Sequence, residues 1–178
     1  MSSTYSPDLR IELIGTGDQA GVWGATTNNN LGTLLESAIA GYTSVAIASA
    51  NQALTVNNGA ADEARYAAIA LTTSTGANFS VYMPPSPKLN VFYNASSYTA
   101  TIYCSTVAGN TTAAGTGIAI PAGKKVALWT DGTNVYQQSD YLISPTFVTP
   151  VLGTPASGTL TNCTGLPVAT GISGLGSG

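Results

Sequence analysis

From residue 43 to about residue 140, apolar positions recur mostly with the two-residue period of a strand. The runs Ser44–Ala48, Ala53–Val56, Tyr66–Thr72, Asn78–Met83 and Leu89–Asn94 read as strands. So do Tyr98–Ser105, Gly117–Ile120, Lys125–Thr130 and Thr133–Gln137. Between them lie turn-forming residues: Asn57-Asn-Gly59, Thr75-Gly76, Pro84-Pro85-Ser86-Pro87, Gly109-Asn110 and Pro121-Ala-Gly123. Asp131-Gly132 between two such runs predicts a two-residue hairpin. Ahead of this region, Leu9, Ile11 and Leu13 alternate with Arg10 and Glu12, which predicts a strand over Leu9–Ile14.

One stretch departs from the strand period. Leu31, Leu34, Leu35, Ala38 and Ile39 fall at helical spacing, with Asn30 placed to cap the start and Gly41 suited to a left-handed stop. Gly32 and the short length weaken that helix in isolation, so it needs a sheet or a partner to pack on. The expected fold is mainly β: a sandwich or jelly-roll-like domain over residues 43–140, one short helix within a 1–42 segment, and an extended arm over 141–178.

The arm has its own pattern. Ser144-Pro145, Thr149-Pro150 and Thr154-Pro155 recur every fifth residue, and no charge occurs from Pro145 to Gly178. Proline blocks helix and central strand alike, so the segment should run extended. Its Val148, Val151, Leu152, Leu160, Leu166 and Val168 are too few for a separate core and predict burial against further copies of the chain.

Charge sharpens this picture. Only 7% of the 178 residues are charged, and the net charge is −3. About 25% is usual in a soluble domain, and an uncharged surface suits coverage by neighbouring subunits. Five basic residues, with no cluster among them, argue against nucleic-acid binding. No apolar run has the length of about 20 residues that spans a bilayer, and MSSTYSPDLR lacks a signal-peptide core. That favours free thiols for Cys104 and Cys163.

Three blocks carry a resemblance. The first is Leu13-Ile-Gly-Thr-Gly-Asp-Gln-Ala-Gly-Val-Trp-Gly24, followed by Thr27-Asn-Asn-Asn-Leu-Gly-Thr-Leu-Leu-Glu36 and Ala38-Ile-Ala-Gly-Tyr42. The second is Asn58-Gly-Ala-Ala-Asp-Glu-Ala-Arg65, then Pro121-Ala-Gly123 and Asp131-Gly-Thr-Asn-Val135. The third is Leu152-Gly-Thr-Pro-Ala-Ser-Gly-Thr-Leu-Thr-Asn162, Thr164-Gly-Leu-Pro167 and Ile172-Ser-Gly-Leu-Gly176. In this order they resemble the virion-attachment segment, β-rich domain and collar-like linker of tailed-bacteriophage tail fibres. The resemblance implies a homotrimeric structural protein of the virion, assembled in the host cytoplasm. Its N-terminal region would dock on a tail adaptor or nozzle protein and support host adsorption. A capsid head fibre or decoration protein shares the composition, with capsid proteins as its partners. Receptor-binding regions lie farther along such fibres than the collar-like segment, so direct receptor recognition is not expected of these residues.

Catalytic chemistry finds little support. Without histidine there is no catalytic triad and no imidazole metal site. Asp62-Glu63 is the adjacent carboxylate pair, and a glycosidase-like pairing of Glu63 with Asp131 or Asp140 is the enzymatic alternative. Sparse acids more often cap turns, so the chain is read as a non-enzyme that takes no cofactor and no metal. Arg65 is expected to pair with Asp62, Glu63 or another acid. Asp18-Gln19 with Asn28–Asn30 matches no EF-hand spacing and reads as cap and turn. The assembly and docking candidates are Trp23, Leu31, Leu34, Leu35 and Ile39 near the N-terminus, and Val148, Leu152, Leu160 and Leu166 in the arm. Trp23 is either an interface anchor or a cover for the domain's own core. Trp129 reads as core or subunit packing ahead of a sugar-stacking surface, the platform a carbohydrate-binding module would need.

Overall fold

A computed structural model of the chain describes residues 2–73, 75–139 and 141; each expected strand run from Ser44 onward overlaps a strand, although Ala53–Val56 does so only at Ala53, the strand there being Asn51–Ala53. A hairpin of β1 (Thr4–Tyr5) and β2 (Glu12–Leu13) comes first. A continuous helical stretch follows: α1 (Trp23–Asn29), a wider π-helical turn (Asn30–Leu35) and α2 (Glu36–Ala40). Then come β3 (Tyr42–Ile47), β4 (Asn51–Ala53), β5 (Ala68–Thr73), β6 (Phe79–Met83), β7 (Pro87–Asn94) and β8 (Ala100–Cys104). β9 (Ile118–Ile120), β10 (Lys125–Asp131) and β11 (Val135–Gln137) complete the described strands.

The chain is mainly β, with two principal open sheets. The five-stranded sheet has the order β11-β10-β7-β5-β3, and the four-stranded sheet the order β4-β6-β8-β9. From β3 to β8 the chain switches sheet at every strand, so β3, β5 and β7 run parallel in one sheet and β4, β6 and β8 parallel in the other. Returning to the same sheet in the same direction requires a crossover, and here each crossover is a strand of the other sheet. Within these two sheets, consecutive strands pair only late, at β8–β9 and β10–β11. One apolar cluster draws on both sheets: Val45, Ile69, Phe92 and Leu128 from the first, with Val81, Ile102 and Ile120 from the second. The described residues belong to one compact unit that ends at Tyr141.

Several local expectations are corrected. Leu9–Ile14 is not one strand: Arg10 has φ 53°, and Ser6 and Ile11 bond across the turn (Ser6 N–H to Ile11 O, 2.8 Å), which leaves only Glu12–Leu13 paired. The helix begins at Trp23, so Asn30 sits inside it (φ −59°, ψ −47°) and caps nothing. Its amide instead grips a strand, donating to Glu12 O (2.8 Å) while its Oδ1 accepts from Glu12 N–H (3.3 Å). Neighbouring Asn29 donates to Gly59 O (2.9 Å), so both asparagines fasten the helix to backbone elsewhere. Gly41 is extended (φ −76°, ψ 146°). Glycine is required there by proximity, because a Cβ would lie 2.6 Å from Ser37 O and 2.7 Å from Tyr66 Cδ1. Tyr42, placed by the sequence at the end of the docking segment, is the first residue of β3.

The hairpin at Asp131-Gly132 forms with a longer connection than two residues. Thr130 pairs with Val135, so Asp131 to Asn134 make the turn, with Gly132 at φ +94°. Asp131 Oδ1 accepts the N–H groups of Thr133 (2.8 Å) and Asn134 (2.7 Å), which organises the loop from within.

Candidate functional site

The outer face of the five-stranded sheet is built from residues that neighbour one another across strands. Trp129 on β10 lies opposite Leu89 on β7 and Tyr136 on β11. One row along, Ala127 faces Val91, Val91 faces Ala68, and Ala68 faces Tyr42. Leu89 (52%), Trp129 (42%) and Tyr42 (63%) are solvent-exposed, as are Val91 and Tyr136. The rings of Trp129 and Tyr136 stack at 4.5 Å between centroids with 21° between planes. Charges stand only at the ends of β10: Lys125, whose ammonium sits 4.1 Å from the Tyr93 ring centroid, and Asp131 at the turn. A band of aromatic and aliphatic groups with charge confined to its ends has the composition of an interaction surface.

This face exists because β7 is inverted relative to the usual pattern. Leu89, Val91 and Tyr93 occupy one side, while Asn90, Phe92 and Asn94 occupy the other and are buried. The asparagines can face inward because carbonyls wait for them. Asn90 donates to Tyr66 O (2.6 Å), and Asn94 donates to Tyr98 O (2.7 Å) and Ile120 O (2.8 Å). Asn94 Oδ1 also accepts from the Ser96 hydroxyl (2.7 Å). A buried amide with its hydrogen bonds made replaces backbone partners that a loop would otherwise lack.

No family model matches this chain, and neither a curated protein nor a solved structure does.

The predicted N-terminal candidates divide. Trp23 (62%) and Ile39 (71%) are exposed, as are Leu31 and neighbouring Val22. Leu34 is fully buried at 0% and Leu35 is half-buried, so Leu34 anchors the helix and offers nothing to a partner. Trp23 does not cover the domain's core. Val148, Leu152, Leu160 and Leu166 lie outside the described residues, as do Cys163 and Asp140. Cys104 is buried in the core, and burial pushes its thiol pKa up. The sheet face escaped notice apart from Trp129. Its signal was the odd-numbered series Leu89, Val91, Tyr93, which looks like a core face on periodicity alone.

The acids take structural roles. Asp62 is the partner of Arg65: its Oδ2 lies 2.6 Å from Nη2, and both side chains are out of solvent. Asp62 also accepts the N–H groups of Arg65 (3.0 Å) and Asn57 (2.8 Å). Arg65 Nη2 donates further to Asn57 O (3.0 Å) and Ala60 O (3.1 Å), closing the 57–65 loop around the ion pair. Glu63 turns away to the backbone N–H (3.0 Å) and hydroxyl of Thr55. Partial burial opposes its charge, but those bonds outweigh it and hold its pKa below the ordinary value. Asp131 is held low by the Asn134 and Thr133 N–H groups of its own turn. Asp18 accepts the hydroxyl and N–H of Ser3 (2.9 Å each), and the hydroxyl bond leads in lowering its pKa. Among the described residues no group of three or more Cys, Asp and Glu is placed to hold a metal ion. No described helix is long and apolar enough to cross a membrane.

Proposed function

We propose that this chain is a structural protein of a tailed-bacteriophage virion, the proximal part of a homotrimeric tail fibre that attaches to the tail and supports host adsorption. The single observation that supports self-association is the aromatic face of the five-stranded sheet, whose charges stand only at the ends of β10. An apolar surface of this breadth is unfavourable in water and is covered when copies associate. The exposed Trp23, Leu31 and Ile39 on the helical stretch give a second apolar surface for docking on a tail adaptor or nozzle protein. Within each protomer the two sheets close as a sandwich on their shared apolar cluster. Attachment to the capsid surface is the variant of this reading in which capsid proteins are the partner.

Light scattering on the purified full chain tests the assembly. Three times the 17.9 kDa protomer mass is expected, and a lone protomer at micromolar concentration overturns the trimer. Because apolar contacts carry the association, the oligomer should survive about 1 M salt, where the Debye length falls to about 3 Å. Antibody labelling of virions then separates tail from head, and labelling of neither overturns the virion assignment.

The stacked Trp129–Tyr136 pair supports a second reading, a carbohydrate-binding platform, since exposed aromatic rings can stack on sugars. A glycan array decides it: binding that Trp129→Ala abolishes favours this reading, and the absence of any hit removes it.

A further inference from the structure

One edge of the five-stranded sheet is open. β3 is its end strand and, among the described residues, pairs only with β5, in parallel register. Gly41 O accepts from the N–H of Ala68 (3.0 Å), and Val45 O and Ile47 O accept from the hydroxyls of Thr72 (3.3 Å) and Thr73 (3.1 Å). The odd-numbered residues therefore turn their backbone groups towards β5. Alternate residues of a parallel pair bond to the neighbour, so the N–H and C=O groups of Tyr42, Ser44 and Ala46 point away from the sheet. None of these groups has a hydrogen-bond partner among the described residues. The open run ends at Ala48, whose N–H donates to Gln52 Oε1 (3.2 Å).

Sheet edges are normally protected by charge, proline, a bulge or brevity. β3 has none of these: Tyr42-Thr-Ser-Val-Ala-Ile47 holds no charge and no proline, and its register with β5 is unbroken over 6 residues. The other described edges of the two sheets, β4, β9 and β11, have 3 residues each. On β11 the Val135 N–H already donates to Thr116 O (3.0 Å). No edge of a second copy therefore matches β3 in length except its own β3. That pairing needs a two-fold axis, and the equivalent edges of a closed trimer cannot all be paired two by two. The edge is left for a different chain.

We propose that the β3 edge is a strand-addition site, which takes an extended segment of the protein on which this chain docks. The inference rests on the docking and trimer readings above. Side chains of the added strand alternate between two surroundings. On one side they extend the outer apolar band beside Tyr42. On the other they meet Thr43 and a depression of about 350 Å³ lined by Thr55, Asn57, Asp62, Glu63 and Tyr66. Asp62 is paired with Arg65 there, and Glu63 leaves a negative charge that excludes an acidic neighbour. The fitting segment thus alternates aliphatic residues with Thr, Ser or Asn. Ile39 is exposed on α2, which leads into β3 through Gly41, so one partner can cover the helical surface and the edge together.

The test uses the full chain and a fluorescein-labelled peptide, Val-Thr-Val-Asn-Val-Thr, whose binding is followed by fluorescence anisotropy. Methylating one alternate set of peptide nitrogens should weaken binding about tenfold or more, because it removes the bonds to β3, while methylating the other set should not. Amide hydrogen exchange at Tyr42, Ser44 and Ala46 should be fast in the free chain and slow with peptide bound. Thr43, Val45 and Ile47 should stay slow throughout. Ser44→Pro removes an N–H that β5 does not use, so it should weaken peptide binding about tenfold and leave the oligomeric mass unchanged. No binding at millimolar peptide, or equal binding of the two methylated peptides, overturns the proposal. So does slow exchange at Tyr42, Ser44 and Ala46 in the free chain. A fall in mass in Ser44→Pro gives the edge to a second copy and overturns it too. A wild type that scatters as a single 17.9 kDa chain removes the trimer, whereas the peptide and exchange readouts still judge the edge.

Discussion

Both faces of the five-stranded sheet carry large apolar groups, but with opposite fates. Phe92, Ile69 and Leu128 face inward into the shared cluster, while Leu89, Val91, Trp129 and Tyr42 face water. In an ordinary half-buried sheet the outward positions are polar, and the alternation names the core. Here the inward side even carries the asparagines, Asn90 and Asn94. What sends a side chain inward is therefore not its hydrophobicity alone. It is whether the interior offers volume for an apolar group or unpaired carbonyls for an amide. The outward face remains apolar after those demands are met, and the proposed self-association would cover it.

This contrast can be broken in order of effect on the protomer. Phe92→Ala on the inner face should lower stability by about 3–5 kcal/mol through lost transfer energy and a residual cavity. Urea unfolding measures it, and a loss below about 1 kcal/mol would mean that the two sheets do not share a packed core. Asn94→Ala should remove about 1–3 kcal/mol by stranding Tyr98 O and Ile120 O. A smaller loss in the same unfolding experiment would show that water satisfies those carbonyls.

Lys88 also lies on the inward-facing register of β7, opposite Thr130. Its pKa is about 8 in the fold against an ordinary 10.5. Between those values the unfolded chain holds a proton that the folded chain has released, so folding stability rises with pH across that window. The raised thiol pKa of Cys104 acts in the opposite sense, which makes the difference between wild type and Lys88→Met the useful quantity. The melting temperatures should converge by a few degrees as pH climbs from about 8 to about 10.5, the wild type gaining. Parallel curves would place the Lys88 amine in water.

The outer face should respond least in the protomer and most in assembly. Leu89→Ser combined with Trp129→Ser should change protomer stability by only about 0.5 kcal/mol. Under light scattering, however, the mass should fall towards that of a single 17.9 kDa chain. An unchanged oligomer would move the interface away from this face.

How much of this was legible follows from the same physics. Strand positions from Ser44 to Gln137 were readable because period two, punctuated by Gly, Pro and Asn-rich turns, is a local property. The Asp62–Arg65 pair was among the pairings that proximity in the chain suggested. Asn30 was misread, because an asparagine before a leucine-rich run looks like a cap until its distant partner at Glu12 is known. Leu34 and Leu31 belong to one periodic series, and only packing decided that the first is buried and the second exposed.

Local spacing thus settled that this is a strand-rich chain with one helical stretch and very few charges, since each of those properties depends on neighbours a few positions away. Parallel pairing within each sheet, the inward turn of Asn90 and Asn94, and the exposure of Trp129 were decided in three dimensions. Alternation tells which residues share a side of a strand. It carries no information about which strand lies next to it, or which side meets the core. Those depend on contacts between segments far apart in the chain, where loop closure and packing choose among partners that local pattern leaves equivalent.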